Sequence, residues 1–289
     1  MNAARARTIL RILLGLALLV LLAIHVDVRQ VGAAFRKSDP LWIVAGGVVF
    51  AIATLVACVR LQVLFSDARL PFRAAVRLTL ASYFFNQLLP TGVGGDAYRS
   101  VRLKNVSGGW LSAIGPIAIE RAIGALSLIV PALAYRLFAH GSADFIVDVS
   151  LSPHTRWLIA VAAVVIVIAG VLLIRRRAAL PTLSAKTLAG VVALSLLFHA
   201  LRVAGMYAFV LAVGHRVAFG ELVVVMALTL LASLVPLSIG ALGIREGILV
   251  YALGACRVPA PEALTVALLN RLVLVVVGLI GAFVTDIDR

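Results

Sequence analysis

Residues 86–104 read NQLLPTGVGGDAYRSVRLK, a polar stretch broken by proline and glycine in a chain that is otherwise almost continuously apolar. Residues 233–247, SLVPLSIGALGIREG, repeat its layout. In each stretch a proline, Pro90 or Pro236, ends an apolar approach, a glycine follows four residues later, and charged residues come just beyond. The two prolines are 146 positions apart, close to half the chain length. This spacing indicates one structural break in each half of the molecule.

The composition is that of a membrane protein. The 289 residues are 63% hydrophobic and 13% charged, and the mean hydropathy is +1.13. A soluble domain is about half apolar and about a quarter charged. Several apolar runs approach or exceed the roughly 20 residues that a helix needs to cross a bilayer. The sequence therefore predicts an all-α, polytopic integral membrane protein.

The net charge of +14 has a different meaning here from its meaning in a soluble protein, where it would suggest nucleic acid. The lysines and arginines lie between the apolar runs, where they orient a chain in the membrane. There is no basic patch with interleaved aromatic residues, and we expect no nucleic-acid partner. The two cysteines form no CxxC, the five histidines form no HExxH, and no GxxxxGK[ST] is present. We therefore expect neither a metal nor a cofactor nor an ATP site.

The apolar runs predict about six full transmembrane helices, at residues 8–26, 41–59, 110–138, 155–174, 187–213 and 261–284. Two shorter runs lead into the breaks. The first, residues 78–90, is too short to cross with ease, and crossing there would leave Arg99, Arg102 and Lys104 outside, against the positive-inside rule. We therefore predict that both shorter runs form re-entrant hairpins broken by Pro and Gly.

The two halves match in layout at an offset of 146 residues. The first repeat covers about residues 8–138 and the second about 154–284, within a single membrane domain over residues 1–289. Three crossings and one hairpin in each half predict that the repeats are inverted, as in many transporters. The loop charges place both termini in the cytoplasm, with residues 60–77 as a cytoplasmic loop. The first run is read as an uncleaved span rather than as a signal peptide.

Adjacent opposite charges interrupt the apolar segments at Glu120-Arg121 and Arg245-Glu246. A charge at the centre of a span costs roughly 2.5–3.5 kcal/mol on insertion scales. Helix neighbours i and i+1 point about 100° apart, so each charge needs a partner on another element. We hypothesise a Glu120–Arg245 or Arg121–Glu246 pair across the halves. The alternative is that these charges fix helix register or reach the headgroups. Arg202 interrupts another span and is expected to face a cavity.

The breaks themselves could bind an anion. Proline releases backbone carbonyls, and glycine lets the chain turn back and a ligand approach closely. A helix that begins after Gly95 or Gly243 would present its positive end to a phosphate or carboxylate, aided by Arg99 or Arg245. The alternative is that Pro and Gly are simply common in transmembrane helices.

Three motifs resemble a known family. Residues 86–99 have the pattern N-x-x-L-P-x-G-x-G-G-D-x-x-R, and residues 236–246 have the pattern P-x-S-x-G-x-x-G-x-R-E. Together with Glu120-Arg121, they are similar in order and spacing to the signatures of the lysylphosphatidylglycerol synthase transmembrane-region family. The resemblance implies the flippase portion of multiple-peptide-resistance-type proteins, which moves a lipid between leaflets. We expect the soluble aminoacyl-transfer domain of the bifunctional members to be absent, and therefore no enzyme activity.

The leading hypothesis is a flippase for a lipid with a polar, anionic headgroup in a bacterial-type cytoplasmic membrane. The residues expected to form its substrate site are Asn86, Pro90, Gly94, Asp96, Arg99, Glu120, Arg121, Arg202, Pro236, Ser238, Gly240, Gly243, Arg245 and Glu246. Three alternatives stay open. They are a secondary transporter of a small polar solute, a membrane scaffold for a lipid-modifying partner enzyme, and an enzyme that uses Asp96 or Glu120 as acid or base.

Overall fold

The structure, a computed structural model, describes four stretches of the chain: residues 28–88, 94–138, 183–233 and 243–286. The predicted features that lie outside them are the crossings at 8–26 and 155–174, Pro90, Pro236, Ser238 and Gly240. All regular secondary structure in the described stretches is helical, as the composition predicts.

The described helices, numbered in chain order, are α1 Val28–Lys37, α2 Pro40–Leu64, α3 Phe72–Leu88, α4 Gly94–Leu103, α5 Trp110–Phe138, α6 Ala185–Ala212, α7 Phe219–Ser233, α8 Ile244–Ala255 and α9 Ala260–Asp286. Local sequence sets several of these bounds. Asp39 caps α2 by accepting a hydrogen bond from the Leu41 N–H at 2.8 Å, with Pro40 at the first helical position. Both residues are typical of a helix start.

Four of these helices, α2, α5, α6 and α9, are long and apolar enough to cross a membrane. Their bounds agree with four of the six predicted crossings to within a few residues. Along α2, large apolar side chains at helical spacing are exposed: Leu41, Val44, Val48, Ile52, Leu55 and Val59. A continuous apolar stripe on the outside of a long helix faces lipid. The molecule is therefore an integral membrane protein.

The four shorter helices that flank the breaks lie between these spans. α3 packs against α4 and α9, and α7 packs against α5 and α8. α3 has 17 residues, longer than the 12-residue apolar run expected before the first break. It begins at Phe72 because the segment around Arg73 and Arg77 is helical as well. The re-entrant course of the helices that flank the two breaks stays a prediction.

Buried apolar residues form two clusters. One joins α2, α3, α4 and α5 and is centred on side chains such as Leu61, Leu103 and Ile117. The other joins mainly α6, α7, α8 and α9, with Phe50 of α2 and Leu128 of α5, and includes side chains such as Met206, Leu222 and Leu253. Each cluster draws most of its residues from one half of the chain. Two predicted repeats with separate cores would have this distribution, although inversion stays a prediction.

The closest contact between the halves is the antiparallel pair α2 and α6. A Cβ on Gly46 would collide with the Phe209 ring, and a Cβ on Gly205 would collide with the Phe50 ring. The two rings stack with centroids 5.6 Å apart. The same G-x-x-x-F pattern thus occurs on both helices, and each phenylalanine covers the glycine of the other. Small residues at such crossings allow backbones to approach closely.

We expect Gly46→Ala or Gly205→Ala to lower the thermal unfolding temperature of the protein in detergent. The added methyl group forces the opposing ring out of its place, and overpacking of this kind costs about 1–3 kcal/mol. Gly47→Ala is the matched control, because a Cβ at Gly47 meets nothing within 4 Å. An equal effect of all three substitutions would show that helix propensity, not the contact, is responsible.

Candidate functional site

The first break leads into a tightly packed corner between α3 and α4. The Asn86 side chain accepts a hydrogen bond from the Gly95 N–H at 2.8 Å. A Cβ on Gly95 would collide with the backbone oxygen of Ser82 on α3, so only glycine fits. Asn86 and Gly95 therefore hold α4 against α3. Because Asn86 already accepts a hydrogen bond from one of the free N–H groups at the start of α4, this helix end has fewer donors left for an anion than the sequence predicts.

Asp96, in the first turn of α4, binds two arginines. One carboxylate oxygen pairs with Arg99 one turn later, and the other accepts from Nε of Arg121 on α5 at 2.5 Å. The Asp96 and Arg99 side chains are buried, but 47% of the Arg121 side chain is exposed. An exposed charge near the middle of a long apolar helix needs a water-filled cavity. Arg121 therefore marks a polar opening beside the network.

Glu120 is the centre of the same network. Its Oε1 lies 2.6 Å from Nη2 of Arg60 on α2, and its Oε2 lies 3.1 Å from Nη1 of Arg99. Arg60 also donates to the Ser195 hydroxyl on α6 at 3.1 Å. The Glu120 side chain is only 3% exposed. A carboxylate this deeply buried requires both ion pairs to offset its loss of hydration.

A second network follows the second break. Glu246 accepts a hydrogen bond from the Gly243 N–H at 2.8 Å, and Gly243 precedes the first residue of α8 with a φ of 81°. The other carboxylate oxygen of Glu246 lies 2.6 Å from Nη2 of Arg271 on α9. Arg271 also donates to Gln87 on α3 at 3.4 Å. The positive φ favours glycine at the start of α8.

Two further arginines lie between these networks without a carboxylate. Among the described residues, no ion pair involves Arg202 or Arg245. Arg202 is 8% exposed, and its guanidinium lies over the Phe50 ring, 4.5 Å from the centroid. Nε of Arg245 is buried and makes no hydrogen bond. Arg202 and Arg271 oppose the positive charge of Arg245, and Glu246 favours it without forming an ion pair with Arg245.

Tyr83 on α3 joins the two parts of the site. It lies near Arg99, Arg202 and Arg245. Arg99 belongs to the first network, so the unpaired arginines lie beside that network and not in a separate pocket. The phenol O–H can donate a hydrogen bond to an anion in the same place.

The structure assigns different partners from those hypothesised for the paired charges. The Glu120–Arg245 and Arg121–Glu246 pairs are wrong, because Glu120 is already neutralised by Arg60 and Arg99, Arg121 by Asp96, and Glu246 by Arg271. The expectation that each charge finds its partner on another element is confirmed for Glu120, Arg121 and Glu246. Gly94 begins α4, two residues earlier than predicted, and the start of α8 after Gly243 is confirmed.

Sequence reasoning missed Arg60 as a site residue. It placed Arg60 in a cytoplasmic loop, but α2 continues to Leu64 and Arg60 is only 11% exposed at its side chain. Its neighbours Ala57 and Leu61 are buried, so Arg60 falls beside the buried stripe of α2. That helical spacing could have revealed it. Arg271, which lies within the predicted crossing at residues 261–284, is not among the expected site residues either.

The described residues contain no group of three or more His, Cys, Asp or Glu side chains that could hold a metal ion. What they do contain are two networks of arginine and carboxylate within an apolar helical bundle, together with two arginines that lack a carboxylate. The fold and site define a polytopic membrane protein with a polar, positively charged interior.

The chain belongs to the family described as the lysylphosphatidylglycerol synthase TM region, whose model matches residues 8–281. This confirms the resemblance drawn from the three motifs. The family is of the lipid-modification and flippase kind, and it is the non-catalytic membrane part of lysylphosphatidylglycerol synthase-like proteins. None of the curated proteins compared with the chain matches it.

We expect Glu120→Gln to destabilise the protein strongly. The substitution leaves Arg60 and Arg99 short of a counter-charge, and breaking a buried pair in this way costs about 3–5 kcal/mol. The measurement is thermal unfolding in detergent. Asp67→Asn is the control, because Asp67 is exposed in the turn after α2 and should change little. A Glu120→Gln protein as stable as the control would contradict the assigned network.

The Glu246–Arg271 contact can be tested by a double-mutant cycle. We expect Glu246→Gln and Arg271→Gln to be strongly non-additive, with a coupling energy of about 0.5–3 kcal/mol. The pair Glu246→Gln and Arg121→Gln, which combines two side chains from different networks, should be close to additive. Coupling of the second pair instead of the first would restore the discarded Arg121–Glu246 hypothesis.

Proposed function

We propose that this protein moves a lipid with an anionic headgroup between the leaflets of a cytoplasmic membrane. The observation that carries the proposal is the presence of two arginines that form no ion pair among the described residues, the buried Arg202 and the partly buried Arg245. Taking a charge out of water costs several kcal/mol unless it is paired. In the Glu120 and Glu246 networks, arginines are paired with carboxylates of the protein itself. At Arg202 and Arg245 the missing negative charge is supplied by the substrate.

Several features favour a lipid over a small solute as that substrate. The family is of the lipid-modification and flippase kind. The half-exposed Arg121 side chain, on a helix of 29 residues, indicates a polar opening beside the apolar exterior. A lipid would place its headgroup in such an opening while its chains stay in the bilayer. A solute carrier needs a cavity closed from lipid, and nothing in the described residues favours one.

The pairing pattern supports a rocking motion of the two halves. All described ion pairs lie within a half: Arg60, Asp96, Arg99, Glu120 and Arg121 in the first, and Glu246 with Arg271 in the second. Among the described residues, hydrogen bonds from the networks to the opposite half include Arg60 to Ser195 and Arg271 to Gln87. Each places a neutral group opposite an arginine. Such bonds are weaker than ion pairs and break more readily.

In this mechanism Asp96, Glu120 and Glu246 hold the helices beside the breaks, and Arg202 and Arg245 contact the headgroup. Arg99 and Arg121, which the sequence assigned to the headgroup, are engaged by carboxylates and shape its entrance. Inverted repeats would let the same site face each leaflet in turn.

The proposal predicts that Arg202→Gln and Arg245→Gln each slow lipid translocation at least about tenfold, because each removes one charge-assisted contact worth about 1.5–3 kcal/mol. The measurement is the rate at which labelled anionic phospholipid becomes accessible to a membrane-impermeant quencher in liposomes containing the full chain. Arg216→Gln is the control, since Arg216 is exposed between α6 and α7.

The proposal would be contradicted if, for every phospholipid tested, wild-type protein translocated lipid no faster than protein-free liposomes do. Uptake of a small phosphate-bearing solute in the same liposomes would then favour the solute-transporter alternative. Equal slowing by Arg216→Gln would assign the effect to overall surface charge.

A further inference from the structure

Arg202 lies in the middle of the α6 face that packs against α2. Residues that alternate in steps of three and four positions lie on one side of a helix. On α6 this spacing gives the stripe Ser195, Phe198, Arg202, Gly205 and Phe209. Ser195 accepts a hydrogen bond from Arg60 of α2, and a Cβ on Gly205 would collide with a ring of the same helix. The stripe therefore forms the α6 side of the seam between the two halves.

The facing stripe of α2 leaves room in this seam for large side chains. With the same spacing it consists of Gly46, Phe50, Ala53, Ala57 and Arg60. Its two central members, Ala53 and Ala57, are buried. Because their side chains are single methyl groups, the seam has space there for the larger Phe198 and Arg202 side chains of α6.

Two aromatic rings, one from each helix, contact the Arg202 guanidinium. Its central carbon lies 4.5 Å from the centroid of the Phe50 ring and 6.0 Å from that of the Phe198 ring. A cation within about 6 Å of a ring centroid is attracted by the face of the ring, most strongly where water is excluded. Arg202 and Phe50 are both buried, so the closer contact meets this condition. We refer to Phe50 and Phe198 as the aromatic pair.

We propose that the aromatic pair positions Arg202 for headgroup transport, so that Phe50 and Phe198 have a role beyond packing. The inference rests on the proposed function and deepens it, because it says how an arginine without a carboxylate is kept ready for an anion. A carboxylate partner would neutralise the guanidinium and compete with the headgroup. A ring face attracts the cation without neutralising it, and the guanidinium keeps its planar set of N–H donors for a phosphate. Fixing the side chain in advance also reduces the entropy lost when the anion binds.

Phe198 also connects Arg202 to the Glu120 network. The centroid of its ring lies 5.1 Å from the guanidinium carbon of Arg60, which is bound to Glu120 at 2.6 Å. One ring of the second half therefore contacts an arginine of each half. A substitution at Phe198 is expected to affect both arginines. Phe50 is the cleaner position for a test, because its closest cation contact is Arg202.

The test changes the electrons of the Phe50 ring and keeps its shape. Phenylalanine with one, two or three ring fluorines is placed at position 50 of the full chain, and translocation of labelled anionic phospholipid is measured in liposomes. Each fluorine withdraws negative charge from the ring face and weakens its attraction for a cation. We expect the rate to fall with each added fluorine, to about one third or less with three. The same series at Phe65, a ring buried in the apolar cluster of the first half, should leave the rate unchanged.

A second comparison shows whether the aromatic pair acts through Arg202. In Arg202→Gln protein the cation is gone, so three fluorines at position 50 should slow translocation further by less than about 1.5-fold. Phe198→Leu should slow the protein with Arg202 at least about threefold. Phe198→Trp should keep most of the rate, because indole attracts a cation most strongly. Unfolding temperatures in detergent confirm that the compared proteins are folded.

Two results would overturn the inference and leave the proposed function standing. The first is a translocation rate that does not change with the number of fluorines at position 50, in a protein that Arg202→Gln slows. The second is equal slowing by fluorine with and without Arg202, which would make Phe50 a packing residue only.

The contact itself is tested without transport. Fluorination at position 50 should lower the unfolding temperature of the wild-type protein more than that of Arg202→Gln protein. An equal shift in both would refute the contact whether or not lipid moves. An unequal shift in wild-type protein that translocates no phospholipid would instead refute the proposed function, and with it any role of the aromatic pair in transport.

Discussion

Glu120 is the group on which the described structure most depends, because a carboxylate inside a membrane domain must be neutralised. It binds Arg60 from α2 and Arg99 from α4 while it is itself part of α5. Three helices, of which α4 and α5 are consecutive in the chain, are thereby fixed at one point. The apolar cluster of the first half packs around the same helices. Hydrophobic contacts alone would allow these helices to slide in lipid, since lipid tails are as apolar as their side chains.

The two halves neutralise their buried carboxylates in different ways. In the first, Asp96 and Glu120 engage three arginines, and in the second Glu246 engages Arg271 and also caps α8. The shared features are an acidic residue beside each break and an arginine on the following long helix. The first network has one arginine more than it has carboxylates, and Arg202 and Arg245 add further positive charge without an ion pair to the described residues. A fold that neutralises three buried carboxylates but leaves these arginines without one indicates a functional reason for them.

Hydropathy was sufficient to predict the long helices, since a crossing depends on one local property, the length of an apolar run. α5 has the predicted bounds, Trp110–Phe138. The ion-pair partners of the buried charges could not be predicted in the same way, because they depend on which helices approach each other in the fold. Arg60 illustrates the difference: its position at the end of an apolar run suggested a loop, whereas the extra helical turn to Leu64 points it at Glu120. The family motifs could be recognised in the sequence, but a motif does not show which of its residues are in contact.

The same reasoning connects the architecture to movement. Antiparallel α2 and α6 meet through Gly46 and Gly205, each under the phenylalanine of the other helix. Hydrogen bonds join the two helices at the ends of this contact, from the Asp39 N–H to the Ala212 carbonyl and from Arg60 to Ser195. Between them the contact is made of small residues and two stacked rings, and we propose that it serves as the pivot. Arg202 lies over one of those rings. A rotation about this contact would therefore move Arg202, which forms no ion pair with the described residues. The ion pairs on either side hold each half together, as the proposed alternating exposure of one headgroup site would require.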